Sequence, residues 1–372
     1  MTTDVEHIGA PATSDASSDD AALAALYRDL EAADLRPLWT ITEQLLTPTP
    51  RPAALPWLWP AATMKPLARR AIELVPVERG GERRVLSLQN PGLGGRPYAV
   101  GTLWGALQCL GPREVAPAHR HSPGAIRFVL EGEGVWTTVN GDACDMGPGD
   151  LVLTPSWHWH DHTNGGDSEM YWFDGLDLPM IEALDGIFFE PYPGDAQPEA
   201  AEHNASEREH TTGTRYVPGS VTDRLSPRPS TLLRYRWADT AAELDRLAAA
   251  SEEPLIALEY VDPQTGASVL PTMACAVHRV RAGRRSVPVR RAGNAIYVVF
   301  RGSGSSVIAG RRFDWTTGDM FVVPSWCAVD HEGAEEADLF VVTDEPVFRA
   351  LGIDRTEVLP GPQTVTGVGP TR

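Results

Sequence analysis

His119-Arg120-His121, then Pro148-Gly149-Asp150, then Pro155-Ser156-Trp157-His158-Trp159-His160 with Asn164 beyond it: these strings decide how the chain folds. Residues two apart on a β-strand face the same side, so His119 and His121 project together while Arg120 points away. His160, on a later strand, completes a triad. Any one of the 10 histidines taken alone reads as a surface or satisfied core residue, but this spaced set reads as a metal site. Three neutral imidazoles leave a divalent ion its full charge and about three open positions, which suits an anionic chelating substrate together with dioxygen. Imidazole fits iron, zinc, copper or nickel, so the ligands do not by themselves name the metal.

The flanking sequence consists of short alternating runs separated by turn residues, among them Phe128-Val129-Leu130, Val135 to Val139 and Leu151-Val152-Leu153. Asn140-Gly141 between two such runs is a hairpin signal. The pattern predicts a small antiparallel barrel, and it is repeated. Residues 289–304 align without a gap on 119–134, and Gly318-Asp319 and Pro324-Ser325-Trp326 echo Gly149-Asp150 and Pro155-Ser156-Trp157. The motif spacing resembles that of metal-binding cupins. The expected fold is therefore all-β, a bicupin of two double-stranded β-helix barrels with a few accessory helices. Many metal-binding cupins carry a glutamate just after the His-x-His pair; here Ser122 to Ile126 contains no carboxylate. In register, His119 becomes Val289, His121 becomes Arg291 and His160 becomes Val329, and only His331 matches a histidine, His162. One working site per chain follows, with the second barrel kept for packing.

At 372 residues the chain is long enough for two domains, each with its own core. A net charge of −18 argues against nucleic acid and anionic membrane as partners, since both are polyanions. Four scattered cysteines fit a reducing compartment, and the sequence has neither a signal peptide pattern nor a long apolar run, so the expected location is cytoplasmic. The expected organisation is a disordered tail over 1–20, a helical and extended arm over 21–95 and a catalytic cupin over 96–190. A linker with a helix follows over 191–255, then a metal-free cupin over 256–352 and a tail over 353–372. Thr240-Ala241-Ala242-Glu243 reads as a capping box opening the linker helix.

Parity extends the site. Trp104, Ala106 and Gln108 share one strand face, as do His160 with His162 and Trp172 with Asp174, while Arg127 sits six after His121. If these faces turn inward, the pocket holds a metal, an arginine, a glutamine, a histidine and an aspartate. His158 shares parity with His160 but lies on the approach to the motif and reads as a non-ligand.

Thr102-Leu103-Trp104, Val115 to His121, Arg127-Phe128, Trp159-His160-Asp161-His162, Asp174-Gly175-Leu176-Asp177, Arg83-Arg84 and Asn90-Pro91-Gly92 together resemble the gentisate 1,2-dioxygenase family, which includes salicylate and 1-hydroxy-2-naphthoate dioxygenases. The resemblance runs from about Pro37 to Gly352. It implies Fe(II) held by His119, His121 and His160, with the substrate's carboxylate and adjacent hydroxyl chelating the iron and one position left for dioxygen. It also implies that Arg127 and Arg83 bind substrate oxygens, that Gln108 helps fix the substrate, and that His162 with Asp174 forms a supporting or acid–base pair. Trp104 and Ala106 would shape the ring-binding wall. The reaction expected is extradiol-type cleavage of gentisate, a small aromatic hydroxy acid, between its carboxyl- and hydroxyl-bearing carbons to give maleylpyruvate, in a homotetramer. Alternatives are salicylate, a substituted salicylate or 1-hydroxy-2-naphthoate as substrate, another bicupin dioxygenase or isomerase acting on a non-aromatic acid, or a metal-free ligand-binding or storage bicupin.

Overall fold

A computed structural model describes residues 15–76, 84–194, 196–198, 203–211 and 232–370. It divides into two compact units, residues 1–50 and 51–372. The first contains the helix Asp15–Ala32, a 3-10 turn at Leu38–Thr40 and a short helix, Thr42–Leu45. The Trp39 indole donates to the Tyr27 hydroxyl at 3.2 Å.

The second unit holds both barrels, each built from two sheets that are antiparallel apart from one edge strand of the second barrel. In the first barrel one sheet runs in the order Arg234–Tyr235, Leu151–Thr154, Ala125–Glu131, Met170–Leu176, Trp104–Leu110, Val85–Ser87. The facing sheet runs Phe189–Pro191, Val115–His121, His160–Asn164, Val135–Val139, Asp142–Met146. The second barrel repeats the arrangement: Val289 lies opposite Val329, as His119 lies opposite His160. The register read from the sequence is thus the register of the fold. Asn140 and Gly141 have φ of 47° and 91°, the left-handed pair that closes a two-residue hairpin between Val139 and Asp142.

Strand alternation gives each inner strand two different faces. Leu107, Cys109, Ile126, Phe128, Tyr171 and Phe173 face away from the first barrel's interior and join Cys275, Val277, Ile296, Val298, Phe340 and Val342 of the second in one apolar core. Phe128 stacks on Phe340 at 4.1 Å between ring centroids, both fully buried. The opposite faces line the barrel interiors.

Each barrel also completes the other's sheet. The strand Trp57–Trp59 pairs with Met320–Val323 of the second barrel, and Arg234–Tyr235 pairs with Leu151–Thr154 of the first. Both exchanged strands lead into helices whose first turns are anchored on a Gly-Asp turn. Asp319 accepts the amide of Ala61 at 2.8 Å, and Asp150 accepts that of Trp237 at 2.8 Å while pairing with Arg234. Gly149, at φ 86°, has the Trp237 ring 2.5 Å from where a Cβ would stand, so neither its backbone nor its surroundings admit a side chain.

Several expected boundaries differ. The first helix begins at Asp15, inside the expected 1–20 tail, while residues 1–14 lie outside the described residues. The 191–255 linker contributes the helix Ala205–Thr211 and the strand Arg234–Tyr235; its 212–231 portion lies outside the described residues. The helix carrying Thr240 starts earlier, at Trp237, and the Thr240 hydroxyl donates back to the Arg236 carbonyl, so Thr240 is an interior residue and not a cap. The 353–372 tail supplies Thr356–Val358, which pairs with Val289–Arg291, and Gly367–Val368, which runs parallel to Arg311–Thr316. Among the described residues no helix is long and apolar enough to cross a membrane.

Truncating Phe340 to Ala removes the ring that joins the two barrels. A loss of about 3–5 kcal/mol is expected, read as a lower denaturant midpoint with an unchanged slope.

Candidate metal centre and substrate pocket

The neighbouring strands Val115–His121 and His160–Asn164 bring His119, His121 and His160 together, with one ligand atom from each within 4.8 Å of the others. Each ring is fixed by its own backbone: Nδ1 of His119 lies 3.0 Å from the Pro117 carbonyl, that of His121 2.7 Å from Pro123, and that of His160 2.9 Å from His158. A carbonyl only accepts, so each Nδ1 carries the proton and each Nε2 keeps its lone pair for a metal. Nε2 of His160 is buried with no hydrogen-bond partner. Such an atom is costly unless something binds it. The three-imidazole set therefore fits a divalent transition metal. His158 lends its carbonyl to His160 while its own ring turns to the Ser156 carbonyl. Arg120 indeed points away, lying over Trp157 and Trp159 and pairing with Glu190.

The adjoining sheet presents the rest. Across it Gln108 lies opposite Trp172, Ala106 opposite Asp174, and Asp174 opposite Arg127. All five are buried, while Trp104 at the strand's start is half-buried and donates its indole N–H to Ser87. Arg127 gives one guanidinium N–H to Thr154, and its Nε lies 3.9 Å from Asp174 Oδ1. That separation is too long for a hydrogen bond, and both atoms, like the Trp172 indole nitrogen, remain unpartnered. Burial pushes the Asp174 carboxyl up to about 6 against the pull of Arg127. Burial, and after it the Arg127 charge and the ligand histidines, hold His162 well below the ordinary histidine range. His160 is held down by the same burial and the same charge.

His162 Nδ1 meets the Thr137 hydroxyl at 2.8 Å, so its partner is Thr137, while Asp174 faces Arg127. The direct His162–Asp174 pair that the family resemblance implies is not formed. Arg83 lies outside the described residues; its neighbour Arg84 is buried and bonds the Ile72 carbonyl. Sequence reasoning missed Thr137 and Thr154, which hold His162 and Arg127, and Phe189, which stacks on the His119 ring at 5.3 Å. Thr137 is legible only through its cross-strand register with His162.

Residues 106–176 match the Cupin domain family model. A gentisate 1,2-dioxygenase from Streptomyces sp is 46% identical over 340 residues, spanning 89% of this chain and 94% of the relative. The chain belongs to the gentisate 1,2-dioxygenase family. It is a ring-cleaving dioxygenase, and its relatives include a 5-aminosalicylate 1,2-dioxygenase from Comamonas sp, 36% identical over 93% of each chain. Among solved structures, a salicylate 1,2-dioxygenase from Pseudaminobacter salicylatoxidans has a TM-score of 0.82 at 41% identity, covering 90% of this chain and 97% of that one. A mutant of that enzyme has been crystallised in complex with gentisate.

Two outcomes follow for this family member. Replacing His160 with Ala should bring bound metal from one equivalent per chain to background by elemental analysis, and two tightly held ions in the wild type would overturn the single-site assignment. Asp174 carries a folded pKa above its unfolded value, so folding takes up a proton between about 4 and 6. Its contribution to stability is present below the unfolded pKa and is lost as pH rises through about 6. Melting curves of the wild type and Asp174→Asn should therefore shift in the variant's favour from pH 4 to pH 7 and run level above that.

Proposed function

We propose that this enzyme is an Fe(II)-dependent gentisate 1,2-dioxygenase that inserts dioxygen between the carboxyl- and hydroxyl-bearing ring carbons, giving maleylpyruvate. The observation that carries this reading is a buried, incompletely bonded guanidinium set beside three imidazoles whose Nδ1 atoms are already committed. His119, His121 and His160 would hold the iron through Nε2; bound there, it supplies a template and an electron conduit between an electron-rich ring and dioxygen. An anionic chelate restores the charge balance that three neutral ligands leave unmet.

Arg127 is the recognition residue. Its fork matches a carboxylate; the Thr154 hydroxyl accepts one of its N–H groups, and the Asp174 carboxylate lies 3.9 Å from its Nε as a counter-charge. Gln108, buried on the neighbouring strand, offers an amide to a second substrate oxygen, and Ala106 leaves room for the ring beside Trp104. His162 is kept neutral and bonded through Nδ1, so its Nε2 is the atom that would exchange a proton with the substrate's ring hydroxyl. Burial of this set excludes water from the reacting groups. Arg83 is assigned a part in substrate binding on the family resemblance alone. A cytoplasmic homotetramer completes the proposal, with light scattering of the purified protein as its check on assembly.

Oxygen uptake by iron-loaded protein decides the substrate. Gentisate should be consumed with one dioxygen per ring and maleylpyruvate formed, while preference for salicylate, 5-aminosalicylate or 1-hydroxy-2-naphthoate would reassign the ring pattern. No uptake with any aromatic hydroxy acid overturns the reading. Arg127→Met should keep its iron and raise KM at least about tenfold, the loss of one charge-assisted contact; loss of iron instead would make Arg127 structural.

A further inference from the structure

The second barrel keeps a cavity of about 320 Å³ where the first barrel has its site. Val289, Arg291 and Val329 stand at the three ligand positions, and the positions of Gln108, Arg127 and His162 are taken by His278, Tyr297 and His331. All six line the cavity. A packing module would be expected to fill such a space with apolar side chains. Here a polar wall has replaced the metal site.

His278 is enclosed by protein yet open to the cavity, and its buried Nδ1 has no hydrogen-bond partner. Burial, with His331 and Arg291 nearby, brings its ring down to about 3; burial brings His331 down to about 4 and raises Tyr297 to about 12. All three are neutral near pH 7, so the positive charge comes from Arg291 and from Arg355, whose guanidinium lies over the Trp326 ring. Arg291 is exposed at the cavity mouth, its charge is felt by both His278 and Tyr297, and it forms no ion pair among the described residues. The carboxylates around the opening lie elsewhere: Asp344 is taken by Thr102 and Asn294, Glu345 by Arg349, while Glu253, Glu259 and Asp354 are exposed at the rim. The position of Asp174 is occupied by Val341, which lies opposite Tyr297, so this wall of the cavity carries neither the arginine nor the carboxylate of the first barrel.

We propose that this cavity is a metal-independent binding site for a small aromatic carboxylic acid, with Arg291 pairing the carboxylate, the ring lying among Val289, Val329 and Val341, and His278 meeting a further polar atom. The size suits one ring, since binding cavities begin at about 300 Å³. Val289 and Val329 leave the ring a dry wall, and a cation beside apolar surface selects an anion with a flat apolar body over inorganic anions. The site stands apart from the first barrel's chemistry and is read without turnover.

The test is calorimetric titration of the full-length, metal-loaded chain with benzoate. Wild type and Arg127→Met should each retain a saturable equivalent assignable to the second barrel. Arg291→Gln should weaken that equivalent at least about tenfold, a charge-assisted pair being lost, and Arg291→Lys should recover part of it. Gentisate KM should be unmoved by Arg291→Gln. A benzoate-soaked crystal provides a check independent of the variants' folding, with density expected beside Arg291. Absence of benzoate there at saturation, or binding indifferent to Arg291→Gln, overturns the proposal.

Discussion

The back-to-back contact of the two barrels, centred on Phe128 against Phe340, constrains everything else. Once alternate residues of Ala125–Glu131 are committed to that shared core, the residues between them must face the barrel interior. Arg127 is buried there because Phe128 cannot be anywhere else. The same argument carries across the ladder: Leu107 and Phe173 belong to the core, so Ala106, Gln108, Trp172 and Asp174 belong to the pocket. A slip of one residue would exchange the two sets and put a guanidinium against the stacked phenylalanines.

The exchanged strands explain why a barrel without metal ligands persists. Trp57–Trp59 lies in the second barrel's sheet, while the helix that follows it, Ala61–Leu74, covers the first barrel and brings Ala68 against Cys109. Removing the second barrel would strip that helix of its starting point at Asp319. The two Gly-Asp turns are accordingly anchors as well as turns. Their retention in both halves, where the imidazoles survive in only one, separates what the fold needs from what the chemistry needs.

Much of this was legible in the sequence because strand parity is a local rule. The His-x-His pair, the Trp104-Ala106-Gln108 face and the Asn140-Gly141 hairpin need only neighbouring residues, and the duplication fixed the second copy's register. What escaped depends on contacts between distant segments. Thr137 and Thr154 look like ordinary strand threonines until the register puts them beside His162 and Arg127. The final residues look like a polar tail because Thr356–Val358 carries no alternation strong enough to announce a strand, yet it finds an open sheet edge. Thr240 matched a capping pattern, but the side chain of Asp150, far away in sequence, bonds the Trp237 amide and the helix begins there.

The first barrel's interior is also poised by its own electrostatics. Burial alone would favour neutral imidazoles, and the nearby Arg127 cation drives His160 and His162 further from protonation. A protonated imidazole cannot ligate a cation, so the group proposed to bind the substrate also keeps a ligand histidine ready for metal. The arrangement carries a cost in the unpartnered atoms of His160, Arg127, Asp174 and Trp172. Four such atoms crowded on one interior are expected of a site that is completed only when metal and an anionic ligand enter it, and a core built for stability alone would have replaced them with apolar groups.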